Sequence, residues 1–144
     1  MAQYRLNPLL RLRQSALQPL KQALLEADAR LEDARAAWRE GEAAVRACEQ
    51  SLSGLSGDPA LYGSAWRYAR ELRLRSQALA GAAAAAEQAR VQAQAALQTA
   101  RMELKQVEKH KERQRLAARE RQQRAAYREQ DDAWLQRRAQ GVMA

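Results

Sequence analysis

Few residues of this 144-residue chain could take part in a reaction. His110 is the only histidine and stands between Lys109 and Lys111. General acid–base or nucleophilic work needs a second group held within hydrogen-bond reach of the first. No residue is spaced to serve His110 in that way, so it reads as a solvated side chain on a charged helix. Cys48 is the only cysteine, which excludes a disulfide framework within the chain and a cluster of thiolate metal ligands. The chain has no glycine-rich phosphate loop, no G-x-S-x-G and no metal-ligand spacing. The expectation is a chain that is not an enzyme and carries no cofactor and no metal.

Two other sets of residues point to binding. The run from Lys105 to Arg115, followed by Arg119, Arg121 and Arg124, could neutralise phosphates. Against that, Glu103, Glu108, Glu112 and Glu120 alternate with the bases, and no cluster suited to reading base edges stands out. The pattern disfavours nucleic acid and suits a helix laced with salt bridges. The second set is Trp66, Tyr68 and Leu74, in a stretch that also holds Tyr62. Aromatic and leucine side chains beside arginines make a protein-docking patch, if packing over a nearby turn does not use them up.

Both sets must be positioned by helices, because the pattern around them is heptad. Every seventh residue from Leu10 gives Leu10, Leu17, Leu24, Leu31, Trp38, Val45 and Leu52. The companion column reads Arg13, Leu20, Ala27, Ala34, Gly41, Cys48 and Leu55. Alternating spacings of three and four define a coiled-coil seam, here with large residues in one column and mostly small ones in the other. Cys48 falls in the second column, where a small thiol is buried. Asn7-Pro8 reads as an N-cap and first helical residue, opening a helix over about 8–53. Pro19 removes one intrahelical bond and should kink that helix near Ser15 without ending it.

The stretch from Ser53 to Pro59 carries Gly54 and Gly57, which offer a left-handed helix end, and Asp58-Pro59 as a second capping pair. It reads as a reversal over about 54–58, followed by a helix over about 59–138, roughly 120 Å long at 1.5 Å per residue. With the pivot between Asp58 and Pro59, the seam layers become Leu52–Ala65, Val45–Leu72, Trp38–Leu79, Leu31–Ala86, Leu24–Ala93, Leu17–Ala100 and Leu10–Val107. The interleaved layers are Leu55–Tyr62, Cys48–Ala69, Gly41–Ser76, Ala34–Ala83, Ala27–Arg90 and Leu20–Leu97. Large faces small in most of them, as dense packing requires. Trp66, Tyr68 and Leu74 fall at e, g and f, off the seam. Beyond Val107 the seam turns polar, and from Lys111 onward the first helix has run out. The fold class is therefore all-α: a long antiparallel two-helix coiled-coil hairpin whose second helix extends past the first.

Composition agrees with this. Phe and Ile are absent, Thr99 is the only Thr, and Ala, Leu, Arg, Gln and Glu dominate. A net charge of +8 asks for an acidic partner, a nucleic acid or an anionic surface, and the basic excess grows toward the C-terminus. Arg outnumbers Lys 21 to 4, which suits bidentate pairing with carboxylates or phosphates. No apolar run reaches the ~18 residues of a membrane span, and the first residues lack an apolar signal-peptide core. The expected location is cytoplasmic, with no direct membrane insertion.

Leu9-Leu10-Arg11-Leu12-Arg13, followed by Ala23, Ala27, Leu31 and Ala34, resembles the start of the stalk proteins of type III secretion export ATPases, the flagellar FliJ and injectisome YscO proteins. Arg128-Glu129-Gln130-Asp131-Asp132-Ala133-Trp134 resembles that family's Glu-Gln followed by an acidic pair and a small residue or Trp. The resemblance covers nearly the whole chain; Pro19 and the alanine tract Ala82–Ala86 depart from it. It implies a coiled coil similar to the central stalk of rotary ATPases, inserted into a hexameric export ATPase and linking that ring to the export gate at the inner membrane. On that reading Arg121, Arg124, Arg128 and Trp134, with Arg11 and Arg13, contact the ATPase. Trp66, Tyr68 and Leu74 contact the cytoplasmic domain of the gate, and export chaperones are further partners. The alternatives are a basic coiled coil that binds nucleic acid and a chaperone or scaffold for secreted substrates.

Overall fold

The computed structural model describes residues 4–54 and 57–143. Two helices make up almost all of it: α1 (Asn7–Leu52) and α2 (Pro59–Met143). They pack on each other as an all-α helical hairpin, and α1 runs without interruption through Pro19. The chain divides into two compact units, Ala16–Ala100 and the combination of Met1–Ser15 with Arg101–Ala144. No helix among the described residues is long and apolar enough to cross a membrane.

Local chemistry sets the helix ends. The ladder of α1 begins with the Leu6 carbonyl accepting from Leu10 N–H at 2.9 Å, after a turn in which Asn7 N–H donates to Tyr4 O at 3.1 Å. Asn7 is thus already helical and Leu6 takes the capping place, one residue earlier than the Asn-Pro pair predicts. At the other end of α1 no described glycine adopts a positive φ. The left-handed ending expected of Gly54 and Gly57 is replaced by another solution. Ser51 and Ser53 hydroxyls donate to the carbonyls of Ala47 and Gln50, and Gly54 N–H donates to Ser51 O. The last two satisfy carbonyls of the final turn, while the Ser51 bond is a back-bond to a carbonyl that the helix already pairs. Asp58 caps α2 as expected: its Oδ1 accepts from Ala60 N–H at 3.0 Å, and its carbonyl accepts from Tyr62 N–H at 2.9 Å. Leu55 and Ser56, and with them the Leu55–Tyr62 layer, lie outside the described residues.

In the unit Ala16–Ala100 the two heptad columns are the covered ones. Ala27, Leu31, Leu52, Ala69, Ser76, Ala83 and Leu97 are buried, and Leu17, Leu20, Leu24, Ala34, Gly41, Val45, Cys48, Leu72, Leu79, Ala86 and Ala93 are half-buried. The register follows the expected pivot. A Cβ built on Gly41 would stand 3.8 Å from Ser76 Cα, which puts the two residues in one layer. The same Cβ would meet Leu79 Cδ1 at 2.8 Å, so Leu79 fills the hollow that glycine leaves.

Trp38, in the seam column, is not fully covered. It remains 38% exposed, and its indole N–H donates to Glu42 Oε1 at 3.3 Å. A buried indole needs a hydrogen-bond partner, and an apolar layer offers none. The same carboxylate oxygen accepts from Ser76 Oγ at 2.7 Å, which satisfies the buried hydroxyl.

Polar contacts between the helices gather on one flank. Asp28, Arg35, Glu42 and Glu49 stand seven residues apart on α1 and reach Arg90 (2.7 Å), Glu87 (2.9 Å), Ser76 and Arg73 (2.9 Å). Partner numbers fall along α2 as they rise along α1, so the pairing is antiparallel. The ion pairs are half-exposed, and each contributes about 0–1 kcal/mol.

Two outcomes check this packing. The Gly41 Cβ position lies 3.9 Å from Ser76 Cβ, close to the ~3.8 Å separation of a disulfide. In a Cys48→Ala background, Gly41→Cys with Ser76→Cys should oxidise to a crosslink within one chain, seen as a mobility shift on a denaturing gel; crosslinks only between chains would overturn the hairpin. Gly81 meets nothing within 4 Å, so Gly81→Ala should raise stability by about 0.5–1 kcal/mol through helix propensity. Gly41→Ala should gain much less, because Leu79 must change rotamer to admit the methyl group. Thermal melting of the two variants side by side reads the difference.

Candidate functional site

Two surfaces were singled out by the sequence, and they lie in different units. In the unit holding Met1–Ser15 and Arg101–Ala144, Leu10 is buried and Leu104 and Val107 are half-buried. Arg13 sits in the seam column and pairs with Glu103, while its Nε is buried without a hydrogen-bond partner. It is turned inward, against α2. Arg11 is exposed and lines a polar notch of about 310 Å³ with Tyr4, Arg5, Asn7 and Pro8.

Tyr4 supplies a contact that the heptads do not reveal. Its hydroxyl hydrogen-bonds to Nδ1 of His110, and the two rings lie 5.7 Å apart at 49°. His110 is therefore tied to the turn that leads into α1, while it stays exposed as its two lysine neighbours suggest. The only sequence signal is distance: Tyr4 and His110 extend the antiparallel pairing just past Leu10 and Val107.

From Lys111 to Gly141 no residue of α2 is buried, and only Ala117 and Ala133 are half-buried. Arg121, Arg124, Arg128 and Trp134 all lie on this uncovered stretch. Arg121 Nε makes a long 3.4 Å contact to the Ala117 carbonyl of its own helix. The Arg138 guanidinium stands 5.2 Å from the Trp134 ring centroid, within cation–π range. Arg115 grips Glu112 through Nε (3.1 Å) and Nη2 (2.7 Å). That hydrogen bond, followed by the charges of Arg115 and Arg119, holds the Glu112 carboxyl below its ordinary range; the Arg115 guanidinium is pushed up by the same bond. The pair is a local i,i+3 brace on an exposed helix.

In the unit Ala16–Ala100 the three patch residues are all exposed but do not form one patch. At about 100° per residue, Trp66 and Tyr68 fall on opposite flanks of the seam and Leu74 on the outer face. Trp66 belongs to a small cluster: Tyr62 meets it edge-on at 6.1 Å and 75°, and Arg73 lies 5.4 Å from its ring while also pairing with Glu49. Tyr68 instead edges a shallow apolar groove of about 420 Å³, lined by Ala44, Cys48, Ser51, Leu52, Ala65 and Leu72 among others. Cys48 is half-buried in that groove and unpaired. Leu74 has neither setting and stands 57% exposed.

Among the described residues no group of three or more His, Cys, Asp or Glu side chains could hold a metal ion. The two hollows are open, and among their lining residues neither brings a base toward a nucleophile. Comparison of the chain with family models, with characterised proteins and with solved structures found no significant match.

The Trp66 cluster gives a stability test. Trp66→Ala loses an aromatic contact and a cation–π contact and should cost the hairpin about 1–2 kcal/mol. Leu74→Ala should stay within about ±0.5 kcal/mol, as for a surface site. Urea unfolding of both variants would show the contrast, and equal losses would mean that Leu74 packs as Trp66 does.

Proposed function

We propose that this chain is a non-enzymatic stalk of a type III protein secretion system. Its role is to couple the hexameric export ATPase to the export gate, in the manner of the central stalk of a rotary ATPase. The observation that carries the reading is the uncovered part of α2. From Lys111 onward a helix continues past the last described residue of α1 that touches it, exposes nearly every side chain, and bears Arg121, Arg124, Arg128 and Trp134. A bare helix of this composition gains little from packing and is marginal alone, so a socket on a partner is the natural place for it. The resemblance of the chain's two ends to the stalk family supplies the identity of the socket. The same resemblance makes the cytoplasmic domain of the gate the partner for the surface near the turn. There Leu74, free of any packing role, is the strongest contact candidate, and Tyr68 with its groove is the next. Trp66 and Arg73 support the hairpin itself, and Arg13 braces α1 on α2 more than it faces outward.

Reversing charge at Arg121, Arg124 and Arg128 tests the assignment. Arg→Glu at all three should abolish co-purification with the export ATPase at physiological salt, while circular dichroism of the hairpin stays unchanged. Undiminished binding would make this stretch a solvated face and remove the support for the stalk reading.

A further inference from the structure

The two flanks of the seam in the unit Ala16–Ala100 are unlike. On one of them Arg35 pairs with Glu87 and Glu49 with Arg73, and ion pairs close the helices together. The other flank is the heptad position just before each large seam residue. On α1 it reads Ala23, Arg30, Ala37 and Ala44, and on α2 it reads Arg75, Ala82, Ala89 and Ala96. All of these but Ala37 are exposed, and the seam leucines Leu24, Leu72 and Leu79 beside them are only half-buried. The apolar groove edged by Tyr68 opens on this same side, with Ala44 and Ser51 in its lining. A third small, apolar column beside the two seam columns is the pattern of a helix in a bundle of more than two.

We propose that two copies of this chain pack through that flank as a four-helix bundle, about a two-fold axis parallel to the helices. The axis sets α1 of each copy antiparallel to α2 of the other, at the levels the hairpin itself uses. Ala23 then faces Ala96 of the second copy and Ala37 faces Ala82, and side chains this small let the helices approach closely. Arg30 falls opposite Ala89 and Arg75 opposite Ala44, so no like charges oppose each other. Glu40, one turn before Ala44, reaches Arg75 of the second copy; neither makes an ion pair among the described residues.

Net charge and area favour a second copy as the occupant. Between Ala16 and Ala100 ten Lys and Arg match ten Asp and Glu, so the whole excess of +8 lies outside this unit. A surface of near-zero net charge associates most readily. From Ala23 to Ser51, and from Tyr68 to Ala96, the columns run about 42 Å at 1.5 Å per residue. Two helices of ~10 Å diameter make that a face of about 800 Å² per copy, the size of a stable interface. The dimer does not depend on the stalk reading, because Arg121, Arg124 and Arg128 lie in the other unit. It leaves Leu74 free on the outer face, while the second copy and the gate would compete for Tyr68.

Sedimentation equilibrium of the full chain, from about 1 to 100 μM, should show the mass rising from monomer to dimer. A monomer throughout would overturn the proposal. Ala44→Lys with Ala89→Lys sets lysines opposite Arg75 and Arg30 of the second copy and should weaken association by about tenfold or more. Gln77→Lys with Gln88→Lys adds the same charge at exposed sites off the flank and should stay within about threefold. Circular dichroism confirms that both variants remain helical. Equal losses would show a response to net charge alone and rule out the flank. The register has its own check, in a Cys48→Ala background. A chain with Ala23→Cys, mixed with one bearing Ala96→Cys, should oxidise to a linked dimer well ahead of either chain alone. Equal rates in the three samples would overturn the two-fold arrangement.

Discussion

Size matching across one seam is the constraint on which the rest of this structure depends. A hairpin of two helices has only one interface, and this one is built largely from alanine and leucine. Alanine buries little area, so the leucines must reach across to small partners if they are to leave water at all. Leu79 entering the space above Gly41 is the clearest case, because a methyl group at residue 41 would stand 2.8 Å from its Cδ1. Fully covering a leucine is worth about 1.5–3 kcal/mol, and among the described leucines only Leu10, Leu31, Leu52 and Leu97 are covered to that degree. The pairing is therefore held by many partial contacts along its length.

Polar groups decide how the pairing is oriented more than how strongly it holds. The ion pairs of Asp28, Arg35 and Glu49 are half-exposed and weak individually, yet they lie on one flank at heptad spacing and all match a single antiparallel register. A slide of one heptad would set Arg35 and Glu49 against the wrong partners. Glu42 has a further part, since it accepts from both Ser76 and Trp38. A buried hydroxyl without an acceptor costs about 1–3 kcal/mol, so this carboxylate fixes which layer Ser76 can occupy.

The same economy explains where recognition is available. Where α1 and α2 are both present, Trp66 stacks against Tyr62 and Arg73 and Tyr4 holds His110, while Leu12, Leu25 and Met102 stay largely exposed. Where α2 has no described partner, its apolar side chains and arginines are surplus to the fold. Surplus of this kind costs helix stability unless another surface covers it. The uncovered stretch of α2 and Leu74 share that physical basis, although one sits beyond the pairing and the other on the outer face within it.

The amino-acid sequence by itself determined the two helices, the capping of α2 by Asp58, the antiparallel register and the point at which α1 runs out. All of these follow from periodicity, from proline and capping chemistry at a turn, and from the size pattern of two columns, which are local or one-dimensional properties. The exposure of Arg121, Arg124, Arg128, Trp134 and Leu74 was legible for the same reason. Only the tertiary structure decided that Trp38 stays partly exposed with its indole N–H on Glu42, that Arg13 pairs with Glu103, and that Tyr4 ties down His110. It also showed Trp66 and Tyr68 in separate surroundings, and α1 ended by the Ser53 hydroxyl and the Gly54 N–H instead of left-handed glycines. Each of these is a choice among rotamers or local turns, and it is settled by which atoms of the same helix, the other helix or the last turn stand within reach.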